Sequence, residues 1–293
     1  MTTINTIQKN ELTVEEAYTW LTKVMPGCRN ADLEKIIATD CECSYHYAKD
    51  VLKGRFELGE PIIAQCAHHA YYYARNVLKG RFEMGEPAIA TDAGWVYNYA
   101  CNVLNGRFEL GEPIISTNAE WAYEYARDVL KGRFELAEPA IATDLDLACD
   151  YAENVIKGRF ELGEPIIAQD SMYSYLYARD VLKGRFELAE PIIATDAYWS
   201  YRYAAYVLEG RFELGEPIIA KNAQYAYYYA LDVLKCRFEL GEPAIAQDAC
   251  CSYWYAREII NGRFELGEPI ILNSQWADEY KERFICNGYN YTK

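Results

Sequence analysis

The sequence predicts an all-α protein, an α-solenoid of about nine two-helix repeats. Proline recurs every 26 residues, and no insertion breaks this register from residue 39 to residue 271. A strict period of this length, without linkers, is typical of one continuous repeat array. Each period reads as a helix, a tight turn and a shorter helix. The repeated prolines are Pro61, Pro87, Pro113, Pro139, Pro165, Pro191, Pro217, Pro243 and Pro269.

The first half of each repeat predicts a helix of about 13 residues. The repeat at 39–64 reads TDCECSYHYAKDVLKGRFELGEPIIA, and its small and apolar residues at 44, 45, 48, 51 and 52 share one helical face. Asp40 is the predicted N-cap, and the other repeats carry Asp or Asn here except for Cys66. Gly54 is predicted to end the helix with a positive φ. Cys236 replaces this glycine in one repeat, which we expect to cost about 1 kcal/mol.

The second half of each repeat predicts a helix of roughly seven residues. Proline is tolerated in the first turn of a helix, so Pro61 is placed near its start. Gly59 is replaced by Ala137 and Ala189 in other repeats, which favours helical geometry at this position. A strand over PIIA is the alternative, and four residues without alternation argue against it.

The ends of the array depart from the repeat. Residues 1–38 are predicted to be an N-terminal segment with a degenerate capping repeat, in which Lys35 takes the proline position. Residues 39–272 form the nine tandem repeats, and residues 273–293 form a C-terminal capping helix and a polar tail. Atypical terminal repeats are expected, because they cover the apolar ends of the array.

Composition restricts the functional classes. The 293 residues carry 29 Lys and Arg against 44 Asp and Glu, a net charge of −15, which argues against binding to nucleic-acid phosphates. Neither a secretory leader nor a membrane-spanning run of about 20 apolar residues is evident. The 10 cysteines are scattered, which suggests a reducing compartment. A cytoplasmic protein is predicted, in the host cytoplasm if the source is viral.

Charged residues also recur without change. Arg55, Glu57 and Glu60 have copies in every repeat. A ladder of ion pairs is the favoured interpretation. Glu-x-x-Glu sites for a divalent cation are the alternative, and the neighbouring arginine argues against them.

A second group of positions is aromatic but variable. The position of Cys43 holds His, Trp, Tyr, Leu or Cys in other repeats and lies four residues before the invariant Tyr47, on the same helical face. These rings either pack between helices or form a concave surface for a partner. The candidate residues are Trp95, Tyr99, Trp121, Tyr125, Tyr173, Trp199 and Tyr203.

A third group varies freely between repeats. The positions of Glu42 and His46 lie four residues apart on one face of the long helix. Unselected variation on a solvent-exposed face is one explanation, but exposing large apolar and aromatic residues to water is unfavourable. Variable positions on a regular scaffold are typical of a recognition surface. The candidate residues are Tyr198, Arg202, Tyr228 and Trp254.

Catalytic chemistry is sparse in this sequence. It has 3 histidines, and lacks a nucleotide-binding glycine motif, a Walker loop, an HExxH motif and a C-x-x-C pair. We therefore predict no enzymatic activity, no cofactor and no metal site.

The unit YAxxVLKGRFELGEPII resembles the short helical repeats of uncharacterised proteins in tailed-phage genomes. Those repeats often carry Trp and Pro in place of Phe56 and Glu57. The resemblance covers about residues 39–271. It implies a helical array and brings no catalytic residue. A viral source would suggest an inhibitor of a host protein.

Three functional hypotheses remain from the sequence. The favoured one is a non-enzymatic binding or scaffold protein that captures a protein or peptide on the exposed face of its long helices. The second is an acidic decoy of nucleic acid that occupies a basic host protein. The third is a multi-site sponge for small molecules or nucleotides, with rings held between Tyr and Trp beside Arg55-type cations. Self-association is a further alternative.

Overall fold

The computed structural model of the chain describes residues 12–24 and 28–286, which form helices and turns without a strand. This confirms the predicted all-α repeat class. The chain divides into two compact units, Met1–Leu147 and Ala148–Lys293, each an array of two-helix repeats. The start of the predicted N-terminal segment and the predicted polar tail lie outside the described residues.

The first unit begins with helices Val14–Thr19, Trp20–Val24 and Ala31–Ile37. Its long helices start as α-helix and continue as π-helix: Cys41–His46 with Tyr47–Leu52, Ala67–Tyr72 with Tyr73–Leu78, Ala93–Tyr99 with Ala100–Leu104, and Ala119–Tyr125 with Ala126–Leu130. Its short helices are Glu60–Ile63, Glu86–Ile89, Glu112–Ile115 and Glu138–Ile141, the last three preceded by 3₁₀ turns Glu83–Gly85, Glu109–Gly111 and Glu135–Ala137. Helix Leu145–Asp150 runs across the division.

The second unit repeats this pattern. Its long helices are Tyr151–Ile156 (continuing Leu145–Asp150), Ser171–Leu176 with Tyr177–Leu182, Ala197–Tyr203 with Ala204–Leu208, Ala223–Tyr228 with Tyr229–Leu234, Ala249–Trp254 with Tyr255–Ile260, and Ala277–Tyr280 with Lys281–Cys286. Its short helices are Glu164–Ile167, Glu190–Ile193, Glu216–Ile219, Glu242–Ile245 and Glu268–Ile271, with 3₁₀ turns Glu187–Ala189 and Glu239–Gly241.

The predicted N-caps are confirmed. The Asp40 carboxylate accepts the backbone N–H of Cys43 at 2.8 Å, and each equivalent Asp or Asn caps its own helix. Cys66 makes no such side-chain hydrogen bond. A missing cap of this kind costs about 1 kcal/mol.

The predicted positive φ at Gly54 is wrong. The left-handed residue is Lys53, with a φ of 50°, and its copies in the other repeats share this conformation. The wider π-helical turn explains the shift by one residue, because the N–H groups of Lys53 and Gly54 both donate to the Ala48 carbonyl. The position of Gly54 therefore does not require glycine, and the expected penalty at Cys236 has no basis.

The short helix matches the prediction. Proline occupies its first turn, and Gly59 has a φ of −88°, close to the −95° of Ala137 and Ala189. The α-helix itself has four residues, and it reaches the expected length of roughly seven in the repeats where a 3₁₀ turn precedes it.

The core of each unit consists of the invariant apolar positions. Tyr47, Ala48, Phe56 and Ile63 are at most 1 % exposed, and their copies are similarly buried. Alanine allows close approach of neighbouring helices, while the tyrosine and phenylalanine rings of one repeat pack 5.1 Å apart. Because each repeat makes the same contacts, these positions hold the same residues.

Both ends of the array carry a variant of the repeat contacts. In the first unit Arg29 and Glu34 form the ion pair that Arg55 and Glu60 form in a full repeat. In the second unit Tyr280 takes the place of the invariant tyrosine and donates to Glu268. Thr13 and Glu16 start the first helix with a reciprocal capping box, which was not predicted from the sequence.

Candidate protein-binding surface

A hydrogen-bond network joins consecutive repeats through their invariant polar residues. Arg55 forms two hydrogen bonds with the buried Glu60, Nε–Oε1 at 2.6 Å and Nη2–Oε2 at 2.9 Å. The Tyr73 hydroxyl of the next repeat donates to Glu60 at 2.9 Å and accepts the Phe56 N–H at 2.9 Å. Bidentate pairs with these extra bonds satisfy a buried carboxylate. This network is the predicted ion-pair ladder, extended by a tyrosine.

The network already pairs the cations on which the sponge hypothesis depends. Each Arg55-type guanidinium is engaged by its glutamate, so the sponge hypothesis draws no support from these cations. The hydrogen bonds and charge of Glu60 raise the pKa of Arg55, and the exposed Glu57 adds a smaller effect in the same direction. In the terminal repeats, hydrogen bonds from Arg29 and Arg263 hold the pKa values of Glu34 and Glu268 below their usual range.

Alkaline unfolding follows from the buried tyrosines. Burial raises the pKa of Tyr125 and of Tyr280 to about 12, and burial raises the pKa of the equivalent tyrosines as well. An unfolded tyrosine ionises near pH 10. Because the pKa of these tyrosines is higher in the folded state, their contribution to the free energy of unfolding is complete below about pH 10. It is lost as the pH rises through about 12. We expect cooperative loss of helical circular dichroism in this interval.

Tyrosinate absorbance, recorded during the same titration, checks the cause. Ionisation of the buried set should coincide with loss of the helical signal. Complete ionisation of all tyrosines near pH 10 with the helices intact would contradict the buried network.

Three candidate residues of the aromatic group lie inside the array. Tyr99, Tyr125 and Tyr203 are 0 % exposed, and each belongs to the network just described. They pack between helices, which is the first of the two interpretations given for the aromatic positions, and not the binding surface for which they were candidates. These tyrosines are therefore not available to a partner in this structure.

The candidate tryptophans are half-buried in the first turn of their long helices. Each packs on a tyrosine of the preceding repeat: Trp95 on Tyr71 at 5.4 Å, Trp121 on Tyr97 at 5.3 Å, and Trp199 on Tyr175 at 5.4 Å between ring centroids. This tyrosine position, two residues before the invariant one, was missed. Its near-constant aromatic identity across repeats was the available signal.

In the second unit, variable residues converge around a cation. The Arg202 guanidinium lies over the rings of Tyr175, Tyr198 and Tyr206, with carbon-to-centroid distances of 5.5, 5.6 and 4.7 Å. Cation–π contacts of this kind hold the arginine in place while part of its surface stays in solvent. Tyr198 also packs on Trp199 at 4.6 Å.

Next to this cluster is a groove between two long helices of the second unit. Its volume is about 710 Å³, and its lining includes Tyr228, Trp254, Tyr227 and Cys250. The Arg257 guanidinium covers the Trp254 ring at 4.7 Å. Tyr173, the remaining candidate, lies half-buried in the first turn of its helix, where its N–H donates to Asp170.

We refer to Tyr198, Arg202, Tyr228 and Trp254 as the variable face. They lie on three consecutive long helices of the second unit, and all four are half-buried. Rings that are partly exposed and held by neighbours lose little conformational entropy on binding, which suits protein recognition.

A second surface was not predicted. Leucine or methionine follows Glu57 in every repeat, and these side chains are 49–58 % exposed. Single exposed leucines are ordinary, but a fixed apolar residue at the same exposed position of each repeat is not. We call this set the leucine edge of each unit: Leu58, Met84, Leu110 and Leu136 in the first unit, and Leu162, Leu188, Leu214, Leu240 and Leu266 in the second.

One cluster of potential reactive groups lies in the first unit. The His69 Nδ1 is 3.3 Å from the Cys41 sulfur and 3.2 Å from the Cys66 sulfur. Burial raises the pKa of Cys41 to about 11 and lowers the pKa of His69, so neither group tends to ionise. A cysteine nucleophile needs the opposite arrangement, a thiolate beside an imidazolium. The cluster was missed because a C-x-x-C pair was sought, whereas Cys66 and His69 form C-x-x-H.

Within residues 12–24 and 28–286, no helix combines the length and apolar character needed to cross a membrane. Comparison with known protein families, curated proteins and solved structures finds no match for this chain.

Proposed function

We propose that this protein is a non-enzymatic repeat scaffold that binds a protein partner through the variable face. The observation that carries the proposal is the contrast between the repeats' constant interior and these four positions. The repeats of the second unit share their core residues. At the variable-face positions they instead carry half-exposed aromatic residues and one arginine.

The composition of the variable face supports a protein partner. Tyr, Trp and Arg are the residues most enriched among those that dominate binding energy at protein interfaces. The adjoining groove between long helices is a concave site lined by both aromatic and polar residues, which could hold an amphipathic side chain of the partner.

The acidic decoy remains the second hypothesis from composition, with a net charge of −15. The two hypotheses differ in salt dependence. Contacts through aromatic residues persist at high salt, whereas attraction between exposed charges is screened within about 8 Å at physiological ionic strength.

The test is affinity capture from a bacterial lysate with the full chain as bait. The face variant combines Tyr198→Gln, Arg202→Asn, Tyr228→Asn and Trp254→Asn, residues that other repeats carry at the equivalent positions. We expect wild type to retain one stoichiometric protein at low and high salt. The face variant should bind it at least about 100-fold more weakly, since each such residue contributes more than about 1 kcal/mol.

An edge variant, Leu214→Gln with Leu240→Gln, is the matched control in the same unit. It should keep the partner, and circular dichroism should show that both variants remain folded. Loss of the partner from the edge variant alone would assign binding to the leucine edge instead. Loss from every bait at high salt would favour the acidic decoy.

A further inference from the structure

The cluster of Cys41, Cys66 and His69 brings two sulfurs and one imidazole nitrogen together from consecutive repeats. Cys41 begins one long helix, Cys66 is at the N-cap position of the next, and His69 lies in the first turn of that second helix. Their ligand atoms all lie within 4.8 Å of one another, and the three residues are half-buried.

The geometry is close to that of a bound zinc ion. Bonds of about 2.3 Å to sulfur and 2.0 Å to nitrogen place tetrahedral sulfur and nitrogen ligands about 3.5 Å apart. The two sulfur-to-nitrogen distances here are 3.3 and 3.2 Å. The two sulfurs lie within 4.8 Å of each other, and a bound ion would hold them about 3.8 Å apart.

The rest of the array shows that these residues are not needed for the fold. The equivalents of Cys66 are Asp or Asn, which cap their helices, whereas Cys66 provides no cap. The equivalents of Cys41 are mostly alanine. This repeat therefore lacks a stabilising hydrogen bond and gains a thiol beside the two other metal-binding groups.

We propose that Cys41, Cys66 and His69 form a zinc site that links the first two repeats. Two thiolates and an imidazole are ligands that suit zinc, and three protein ligands leave a fourth position for water. Binding releases the two thiol protons and creates bonds between the helices of neighbouring repeats. The bound ion would fix the start of the second long helix, where Cys66 provides no capping hydrogen bond.

Cobalt is the probe for this site, because thiolate-bound Co²⁺ absorbs through sulfur-to-metal charge transfer. Under anaerobic, reducing conditions we expect the full chain to bind one Co²⁺ with this absorption, and Zn²⁺ to displace it. Cys66→Asp and Cys41→Ala install residues that other repeats carry, so both variants should fold. Each should weaken binding by more than the roughly 10–100-fold that loss of an outer-shell partner costs.

Cys236→Gly is the matched control, since it removes an exposed thiol elsewhere and should leave Co²⁺ binding unchanged. Zinc should also raise the melting temperature of wild type and of this control, but not of Cys66→Asp. The proposal is wrong if reduced wild type shows no charge-transfer absorption. It is equally wrong if that absorption persists in the combined Cys41→Ala, Cys66→Asp variant, or if a Cys41–Cys66 disulfide forms and its reduced form takes no cobalt.

Discussion

Tyr203→Phe is expected to destabilise the second unit by about 1–3 kcal/mol. The Tyr203 hydroxyl accepts the Phe186 N–H at 2.7 Å and donates to Glu190 at 3.2 Å, and all three groups are buried. Phenylalanine keeps the ring packing but leaves the backbone N–H without its partner, which costs the desolvation of that group. Denaturant unfolding followed by circular dichroism measures the loss.

Tyr198→Phe provides the control on the same helix. In the described part of the chain, the Tyr198 hydroxyl has no hydrogen-bond partner, so its removal should change stability by less than about 0.5 kcal/mol. Equal effects of the two substitutions would show that the bridging hydroxyl contributes nothing specific to the interface between repeats.

Gly111→Ala is expected to destabilise the first unit by about 1–3 kcal/mol through overpacking. A Cβ at Gly111 would lie 2.5 Å from both methyl groups of Val96 and 2.9 Å from the Phe108 ring. Other repeats tolerate alanine at this position: Ala137 and Ala189 are the natural residues, in repeats that carry Ala122 and Ser174 at the position of Val96.

Val96→Ala should rescue the stability of Gly111→Ala, because the double variant recreates a pairing that the chain already uses. Thermal unfolding of the two single variants and the double variant gives their coupling energy, expected to be about 1–2 kcal/mol in favour of the pair. Gly163→Ala is the control and should cost less: its Cβ would meet the Phe160 ring at 2.5 Å, as at Gly111 it meets Phe108, but it would face only the Ala148 methyl, at 3.1 Å, in place of a valine. Additive effects of the two substitutions would refute the steric explanation.

The repeat pattern was enough to predict the fold class, the helix caps and the ion pairs, because each depends on local chemistry repeated many times. Asp40 and Pro61 are examples, since a cap and a helix start need only their own turn. The position of the left-handed residue was missed. A π-helical turn is not encoded by glycine placement, and Lys53 has no local feature that predicts a positive φ.

The candidate site was predicted only in part. Helical spacing correctly placed Tyr198 and Arg202 on one face, but it could not distinguish exposed rings from buried ones. Tyr203 lies on the same helix and is fully buried, because its hydroxyl finds a carboxylate in the preceding repeat. The Cys41, Cys66 and His69 cluster depends on contact between residues 25 or more apart, since 66 − 41 = 25.

The tyrosine that joins one repeat to the glutamate of the preceding repeat affects how the number of repeats can change during evolution. Within a unit, a whole period can be removed or duplicated and the new junction still places an equivalent tyrosine against an equivalent glutamate. Selection on array length can therefore proceed in complete periods without inventing an interface. The number of repeats, and with it the number of variable positions, can therefore change while the contacts that stabilise each repeat stay the same.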